Sequence, residues 1–357
     1  MVLKRVMKVI LWLILAVLVI VGGYAIYVYS SYYRLPDNLK LTSHNHSQRV
    51  LKPGQTYKAM TYNIGYGSYP DNYTFFMDGG HYGKAFNRQT VKHDMAGITK
   101  ATKAENPDIA LFQEVDTDGD RSRHVNEVKW LEQGLTGFSN LFAQNYDSPY
   151  FFYPLYDPIG KAKSGILTLA QAKLTDSRRY QLPIDTNFSK FFDLDRAISI
   201  THLPVKNSRQ LAVINVHMSA FTSNQAVRKA QLNKLFAKMK QEIKAGNYVM
   251  VGGDYNHDML GNSPELFNTS KKRLNWTHAF PLNELPQGFR YADNGLRTKR
   301  IPSVRNNNMP YQADKTYVSF TDGFIVSDNI KVDRVHVKNL QFAYADHDPV
   351  IMNFSLK

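Results

Sequence analysis

An uncharged apolar run near the N-terminus, from residue 9 to residue 28, restricts the fold of this chain more than any other part of its sequence. About 20 residues in a helix rise about 30 Å, which is the thickness of the hydrocarbon core of a bilayer. Three cations, Lys4, Arg5 and Lys8, precede the run. The positive-inside rule therefore predicts one membrane-spanning helix, with the short N-terminal tail in the cytoplasm and the rest of the chain outside.

Tyrosines, and no cleavage site, mark the end of this run. A secretory signal peptide has a shorter apolar core and ends in small residues. Here the end of the run and the residues after it contain Tyr24, Tyr27, Tyr29, Tyr32 and Tyr33. Aromatic side chains of this kind collect at the membrane–water interface. We interpret the run as an uncleaved signal-anchor and keep a cleaved signal peptide as the alternative.

The apolar run divides the chain into four parts. We predict a cytoplasmic tail at 1–8, a transmembrane signal-anchor at 9–28, a mostly extended linker at 29–56 and one large domain at 57–357. No later stretch of the sequence is long and apolar enough to span a membrane. The predicted location is therefore the cell membrane, single-pass, with the large domain extracytoplasmic.

Composition limits the chemistry and the partners of this domain. The chain has 44 Lys and Arg, 30 Asp and Glu and no Cys, which gives a formal net charge of +14. The absence of Cys excludes disulfides and thiolate metal sites. Without the three cations of the tail, the exterior part keeps a net charge of about +11. Such a charge favours polyanionic partners, namely nucleic acid, anionic lipid headgroups or wall polymers, although a need for solubility explains it equally.

Strand-like and helix-like segments alternate from residue 57 onward. The segments "YKAMTYNIG", "IALFQEV", "GILTLA", "LAVINVHMS", "YVMVGG" and "VIMNFSL" have the composition of buried strands. Apolar residues at helical spacing predict helices around 91–98 and over 224–245. The mixture of strands, helices and a hairpin through "KNSRQ" predicts an α/β sandwich with mixed sheets.

Five of these strands end or begin with groups that bind metal, bind phosphate or move protons. They carry Asn63, the pair Gln113 and Glu114, the pair Asn215 and His217, the pair Asp254 and Asn256, and the pair Asp346 and His347. Converging buried carboxylates need a cation, protons or hydrogen bonds. Their oxygen ligands suit Mg²⁺, Mn²⁺ or Ca²⁺ better than zinc, and two imidazoles supply acid and base for phosphoester cleavage. For each residue alone, a turn cap or a buried structural residue is the alternative.

The order of these motifs resembles that of a known family. "MTYNIG", "LFQEVD", "SGILTLA", "VINVHMS", "VGGDYNHD", "TDGFIVSD" and "ADHDPV" follow one another as in the endonuclease/exonuclease/phosphatase superfamily, over residues 60–350. That family includes deoxyribonucleases, abasic-site endonucleases, neutral sphingomyelinases and inositol-polyphosphate 5-phosphatases. The resemblance implies a four-layer αββα sandwich with its site where the strand ends of the two sheets meet.

The resemblance also implies which residues hold a metal ion. Glu114 resembles the principal Mg²⁺ ligand, Asn63 lies close by, and Asp346 resembles an acid that binds a second metal or water. We expect Mg²⁺, with Mn²⁺ or Ca²⁺ as alternatives.

Five further residues resemble the catalytic groups. Asp254 and Asn256 resemble the pair that contacts the attacked phosphate and the incoming water. His347 resembles the catalytic histidine, and Asp322 resembles the carboxylate that orients it. His217 resembles the second histidine of the deoxyribonuclease and sphingomyelinase branches. The general base is either Asp254 or His347.

Substrate contacts are expected from residues beside the site. Asn215 shares a strand face with His217, and Arg121 and Arg123 follow Glu114 closely enough to clamp a phosphate or an anionic headgroup. The alternative for the two arginines is a solvated loop. A long aromatic, glycine-rich segment at 65–89 is expected to carry specificity, because loops beside a site usually do.

These features together predict a membrane-anchored, exterior-facing, Mg²⁺-dependent phosphoester hydrolase. We expect a phosphodiesterase that acts on a lipid headgroup or a surface phosphodiester. A surface nuclease that cleaves DNA or RNA is the main alternative, and a non-catalytic binding module on the same fold is the third. The sequence leaves the substrate, the number of metals and the oligomeric state open.

Overall fold

Two mixed β-sheets packed face to face form the centre of the protein. The computed structural model describes residues 2–191, 195–220, 224–270, 273–274 and 276–357. Within these residues each of the two sheets has seven strands. The first sheet contains, from edge to edge, β1 (Leu39–Lys40), β7 (Thr175–Gln181), β8 (Ala197–Pro204), β9 (Gln210–His217), β10 (Tyr248–Asp254), β16 (Asp322–Ser327) and β13 (Phe289–Tyr291).

The second sheet contains the remaining long strands. Its order is β17 (Ile330–Val337), β18 (Val350–Leu356), β3 (Thr56–Asn63), β4 (Ile109–Gly119), β6 (Ala162–Ala170), β5 (Ser139–Asp147) and β2 (Ser43–His44). Short strand pairs are formed by β11 (His257–Asp258) with β12 (His278–Ala279), and by β14 (Val304–Arg305) with β15 (Val318–Ser319). In each sheet one pair of central strands, β3–β4 or β9–β10, is parallel and the flanking pairs are antiparallel.

Helices cover the outer faces of the two sheets. Apart from α1 (Val2–Ser30), whose apolar run is exposed, the helices are α2 (Arg88–Glu105), α3 (Glu127–Gly134), α4 (Gln225–Lys244), α5 (Ser263–Phe267) and α6 (Leu296–Lys299). Because side chains alternate along a strand, β3 turns Met60 and Tyr62 toward α2 and turns Ala59 toward the first sheet. Helix α4 packs on the first sheet through Leu235 and Met239. These layers confirm the predicted α/β sandwich with mixed sheets.

Helix α1 is long and apolar enough to cross a membrane. Its last turns contact the domain directly. The Tyr24 hydroxyl donates a hydrogen bond to the Tyr150 carbonyl at 2.9 Å, and the Tyr150 N–H donates one to the Tyr27 hydroxyl at 3.0 Å. Val28 is buried in a cluster with Phe151 and Phe191. The apolar helix is therefore seated on the domain and does not merely precede it.

The segment 29–56, predicted to be a linker, is largely part of the domain. Its strands β1 and β2 pair with β7 and β5 and so extend one edge of each sheet. Arg49 forms an ion pair with Asp108 at 2.7 Å, and Leu51 is buried. The structure differs from the mostly extended linker expected here, because Leu39, Leu41 and Leu51 give this segment apolar side chains to bury.

Candidate active site

The predicted strand-end residues meet beside a cavity of about 1000 Å³. Parallel pairing brings the carboxyl ends of β3 and β4 to one edge, and the same holds for β9 and β10 in the other sheet. Asn63, the last residue of β3, joins the two sheets there. Its Nδ2 donates hydrogen bonds to Glu114 Oε1 at 3.2 Å and to Asp254 Oδ2 at 3.0 Å.

Glu114 reaches the cavity through an irregularity in its strand. The pairing of β4 with β6 shifts between Phe112 and Val115, and Glu114 has a positive φ of 55°. A bulge of this kind re-aims a side chain at the rim of a sheet. The Glu114 side chain is 24 % exposed. Burial and the nearby carboxylate of Asp346 raise the pKa of Glu114.

His347 stands between two carboxylates. Its Nδ1 lies 2.9 Å from Asp322 Oδ2, and its Nε2 lies 3.8 Å from Asp254 Oδ2. Ser303 donates a further hydrogen bond from its hydroxyl to Asp322 Oδ2 at 2.7 Å, which fixes that carboxylate. Burial acts to lower the pKa of His347, but the charges of Asp322 and Asp254 outweigh it and raise the pKa well above its ordinary value.

Asp254 ends the central strand of the first sheet, directly after Gly253. A Cβ at Gly253 would lie 2.0 Å from the Val216 carbonyl oxygen, so the close parallel pairing requires glycine. Asp254 Oδ1 accepts a hydrogen bond from the Asn256 N–H at 2.8 Å. Asn256 in turn donates from Nδ2 to the Met218 carbonyl at 2.7 Å. Burial and the neighbouring Asp322 raise the pKa of Asp254 to about 7.

His217 faces the same carboxylates from the other side of the cavity. Its Nε2 lies 3.6 Å from Glu114 Oε1 and 3.8 Å from Asp254 Oδ2. Burial, reinforced by the positive charge of Arg196, lowers the pKa of His217 well below its ordinary value. The two histidines of the site therefore have pKa values displaced in opposite directions.

Asp346 lines the cavity beside the first turn after β3. Its Oδ2 accepts a hydrogen bond from Asn307 Nδ2 at 2.6 Å, while its buried Oδ1 has no hydrogen-bond partner among the described residues. A Cβ on Gly65 would lie 3.0 Å from that Oδ1 and 2.5 Å from the Tyr69 ring. Glycine at 65, with its positive φ, leaves the Asp346 carboxylate room to face the cavity.

The donor set of this cavity fits a divalent cation. Three buried oxygens, Asp346 Oδ1, Asp322 Oδ1 and Asn307 Oδ1, have no hydrogen-bond partner among the described residues. Ligand atoms of Asp254, Asp322 and His347 also lie within 4.8 Å of one another, a grouping that could hold a metal ion. Carboxylate and amide oxygens of this kind are the usual ligands of Mg²⁺ and Ca²⁺.

Two predicted substrate-binding residues lie outside the cavity, and these predictions are corrected. Asn215 is fully buried between the sheets, where its Oδ1 accepts from Gln113 Nε2 at 2.8 Å and its Nδ2 donates to the carbonyls of Phe112 and Leu167. Arg123 turns away and donates from Nε and Nη2 to the Ala85 carbonyl at 2.8 and 2.6 Å. Both side chains use their polar atoms to hold the fold together.

Arg121 does line the cavity, although it is not a free clamp. Its guanidinium donates to both carboxylate oxygens of Asp116, at 2.8 and 3.2 Å, and lies 3.9 Å from the centre of the Tyr66 ring. The charge of Arg121 helps to hold down the pKa of Glu114. It therefore contributes a fixed positive charge beside the site.

Several cavity residues were not predicted from the sequence. Asp78 and Asn307 face Asp346, and burial together with the charge of Asp346 raises the pKa of Asp78 to about 7. The segment 150–156, "YFFYPLY", supplies much of the cavity wall. Asp78 lies in the segment 65–89, which was expected to carry specificity, but no pattern within that segment singles out this carboxylate. The aromatic run at 150–156 is a visible signal, since it lacks charge and resembles the tyrosine cluster after the apolar run.

Comparison with known proteins agrees with this geometry. The model of the Endonuclease/Exonuclease/phosphatase family matches residues 60–334. No curated protein sequence matches the chain. Solved structures share the fold: an endonuclease/exonuclease/phosphatase from Beutenbergia cavernae has a TM-score of 0.55 at 15 % identity, covering 85 % of this chain and 72 % of that one.

Two further structures are similar over most of their length. The human Nocturnin catalytic domain, with bound sulfate, gives a TM-score of 0.52 at 20 % identity, covering 89 % of this chain and 98 % of its own. D. rerio TDP2, complexed with a single-strand DNA product, gives a TM-score of 0.53 at 14 % identity, covering 84 % of this chain and 99 % of its own. The chain belongs to the endonuclease/exonuclease/phosphatase family. It is a phosphoester hydrolase, as the members of that family are, and they depend on divalent metals.

Proposed function

We propose that this protein is a membrane-anchored phosphodiesterase whose catalytic domain, residues 57–357 together with the docked segment before it, faces the exterior. The substrate is a lipid headgroup or another phosphodiester at the cell surface. One observation carries the catalytic part of this proposal: His347 is held between Asp322 and Asp254, and it lines the same cavity as Glu114 and His217. Helix α1 supports the anchoring, and the three cations before it support the orientation.

The pKa shifts of Asp254, His347 and His217 suggest how the proton moves during hydrolysis. Asp254, with a pKa of about 7, takes the proton of the attacking water as that oxygen bonds to phosphorus. His347, held protonated by Asp322, gives its proton to the ester oxygen as the P–O bond breaks. The proton on Asp254 then returns to His347 Nε2 across the 3.8 Å that separates the two groups. Neutral His217 donates a hydrogen bond to the phosphate.

Glu114, Asn63 and Asp346 would hold a divalent cation, for which we propose Mg²⁺. The ion would neutralise the charge that develops on the phosphate oxygens. Asn256 positions the phosphate beside Asp254, and Arg121 adds a fixed positive charge at the same wall. The roles of Glu114 and Asp346 rest on carboxylates that line the cavity, one oxygen of which, Asp346 Oδ1, has no hydrogen-bond partner among the described residues.

The test is turnover of bis-p-nitrophenyl phosphate by the full-length chain in detergent, with Mg²⁺ and with EDTA. We expect metal-dependent turnover that falls at least 100-fold in His347→Ala and in Glu114→Gln. His202→Ala is the matched control. That histidine is also buried, but its Nε2 pairs with Glu242 Oε2 at 2.9 Å, away from the cavity. Turnover that survives both site variants would show that these residues do not form the catalytic centre.

A surface nuclease remains the second candidate because the net charge of +14 suits a polyanion. Cleavage of supercoiled plasmid DNA that falls steeply between 50 and 200 mM salt, as expected when a protein releases many counterions, supports this alternative. Plasmid left intact under conditions that hydrolyse lipid phosphodiesters excludes it.

A further inference from the structure

An exposed apolar patch surrounds the mouth of the catalytic cavity. Among the described residues beyond Tyr33, five large hydrophobic side chains are exposed to solvent. Their exposed fractions are 42 % for Met77, 54 % for Phe152, 67 % for Tyr153, 84 % for Leu155 and 63 % for Tyr156. We call these five residues the mouth patch. They come from two loops that touch, since the Phe76 and Tyr153 rings lie 5.5 Å apart and His81 stacks on Tyr156 at 4.9 Å. A concentration of exposed apolar groups at one place marks an interaction surface.

The mouth patch is continuous with the end of helix α1. The Tyr24 ring lies 5.3 Å from the Phe152 ring, and the Tyr24 hydroxyl bonds to the Tyr150 carbonyl. Tyr24 belongs to the apolar run at 9–28, so the loop that carries the patch reaches the last turns of the span. Lys190, 4.6 Å from the Tyr32 ring centre, adds a cation at the same level. If α1 crosses a bilayer, the mouth patch must lie at its surface.

The catalytic cavity opens onto this same surface. Tyr24 and Val28 of α1 line the cavity that Glu114 and His347 also line, as do four members of the mouth patch, Met77, Phe152, Tyr153 and Leu155. One continuous space therefore leads from the carboxylates and imidazoles to the membrane helix. Its outer wall, which includes Phe152, Tyr153 and Leu155, is aromatic and aliphatic.

We propose that the substrate is a phospholipid of the bilayer that holds α1, and that it enters the cavity from the membrane surface, past the mouth patch and the end of α1 that line it. This inference rests on the proposed function and narrows its substrate class. The phosphate would lie at the floor beside Glu114 and His347, and the acyl chains would lie along the apolar wall toward the membrane. Water bonds to phosphorus, one P–O ester bond breaks, and the proton passes to the departing ester oxygen.

The double variant Phe152→Ser with Leu155→Ser tests the patch. The full-length chain is reconstituted into vesicles of phosphatidylcholine and phosphatidylglycerol, and again into vesicles that contain sphingomyelin. We expect the ratio of vesicle-lipid turnover to bis-p-nitrophenyl phosphate turnover to fall at least tenfold in the variant, because the soluble ester has no acyl chain to lie along the apolar wall. Tyr33→Ser is the matched control, because Tyr33 is 62 % exposed at the same end of α1 but does not line the cavity.

Each outcome decides between the proposals. Lipid turnover that is equal in variant and wild type, with normal turnover of the soluble ester, overturns the patch inference and leaves the phosphodiesterase in place. No turnover of the soluble ester by the wild type removes the proposed function itself. Preference for plasmid DNA over every vesicle lipid overturns the lipid assignment.

A second measurement tests whether the mouth patch contacts the bilayer, even if the double variant misfolds. Because the chain has no Cys, Leu155→Cys gives one site for an environment-sensitive fluorophore. We expect its emission to shift to the blue in vesicles and to be quenched by brominated lipid. Emission typical of water, unaffected by brominated lipid, would place the patch away from the bilayer and overturn the inference.

Discussion

The histidines of the site differ in their surroundings although they face the same carboxylates. His347 has the Asp322 carboxylate 2.9 Å from Nδ1, and this partner outweighs the effect of burial and raises its pKa. His217 has no carboxylate at that distance among the described contacts, and burial lowers its pKa. Pairs of titratable groups whose pKa values are pushed apart are typical of acid–base catalysis. Near neutral pH we therefore expect His347 to be protonated and His217 to be neutral.

Asp322 is expected to act through His347. In Asp322→Asn the imidazole loses the carboxylate that holds it protonated, so its pKa falls and a smaller fraction of His347 carries the proton that the ester oxygen needs. We expect kcat for bis-p-nitrophenyl phosphate to fall roughly 100-fold or more with KM little changed, since a positioned acid contributes about 10² to 10⁴. The acidic shift of the kcat–pH profile distinguishes this role from a loss of folding. A profile that keeps its wild-type shape would contradict it.

Asp254 links the metal site to pH. Its pKa of about 7 lies above the ordinary value of 3.8, so the metal-free fold holds a proton here that the unfolded chain has released. Through this group, metal-free stability declines as pH rises from about 4 to about 7. A cation held by Glu114 and Asp346 would bind more tightly when the neighbouring Asp254, which Asn63 bridges to Glu114, is also deprotonated and negatively charged. We therefore expect the rise in Tm produced by Mg²⁺ to be larger at pH 8 than at pH 6.

The control for this measurement is Glu114→Gln, which removes the proposed metal ligand. It should abolish most of the Mg²⁺ effect on Tm at both pH values. In the wild type, Mg²⁺ at 100 times its Kd would stabilise the fold by about 2.7 kcal/mol. A Tm shift that is the same at pH 6 and pH 8, or that persists in Glu114→Gln, would argue against a cation at this place.

At the scale of elements, the site strands could be predicted and the loops around them could not. A strand such as β10 is a short, wholly buried apolar run that ends at Asp254, so its register also fixes where that carboxylate lies. The wall at 150–156 depends on contacts with α1, more than 100 residues earlier in the chain. Asn215 was misjudged for the same reason, because strand alternation gives its face but not the Gln113 amide across the sandwich. Tertiary contacts, absent from any local pattern, decide these positions.

One such contact joins β8 to α4. His202 Nε2 lies 2.9 Å from Glu242 Oε2, and both side chains are largely buried. Burial disfavours the charged form of both side chains, but the hydrogen bond and opposite charge of the partner have the larger effect. The pKa of His202 is therefore raised and that of Glu242 is lowered. The stabilisation is therefore present above the ordinary Glu value of 4.5 and below the ordinary His value of 6.5. It is lost as pH rises through the raised pKa of His202.

Replacing either residue of this ion pair should show the pH range in which the pair stabilises the fold. We expect His202→Ala to lower the free energy of unfolding by roughly 1–3 kcal/mol at pH 6 and by less at pH 9. Chemical denaturation at the two pH values measures it, and Glu242→Ala should show the same pH dependence. A loss that is equal at pH 6 and pH 9 would mean that the ion pair contributes nothing beyond packing.

At the scale of the whole molecule, helix α1, which we propose as the membrane anchor, lines the same cavity as the candidate catalytic residues. A free linker would let the domain take any orientation, but the contacts of Tyr24 and Val28 fix one end of α1 beside the cavity. The side of the membrane on which the domain lies then decides which leaflet it meets. The cations before the helix predict the exterior side.

Single cysteines can test that orientation, since the natural chain contains none. Lys206→Cys lies in the exposed turn between β8 and β9, and Leu3→Cys lies in the tail while keeping all three cations. We expect a membrane-impermeant maleimide to label Lys206→Cys in intact cells and Leu3→Cys only after permeabilisation, because the cations hold the tail inside. Labelling of Leu3→Cys in intact cells would reverse the topology. A mature chain that lacks residue 3 and leaves the membrane in carbonate would instead identify a cleaved signal peptide, and the contacts of Tyr24 with the domain would then exist only before cleavage.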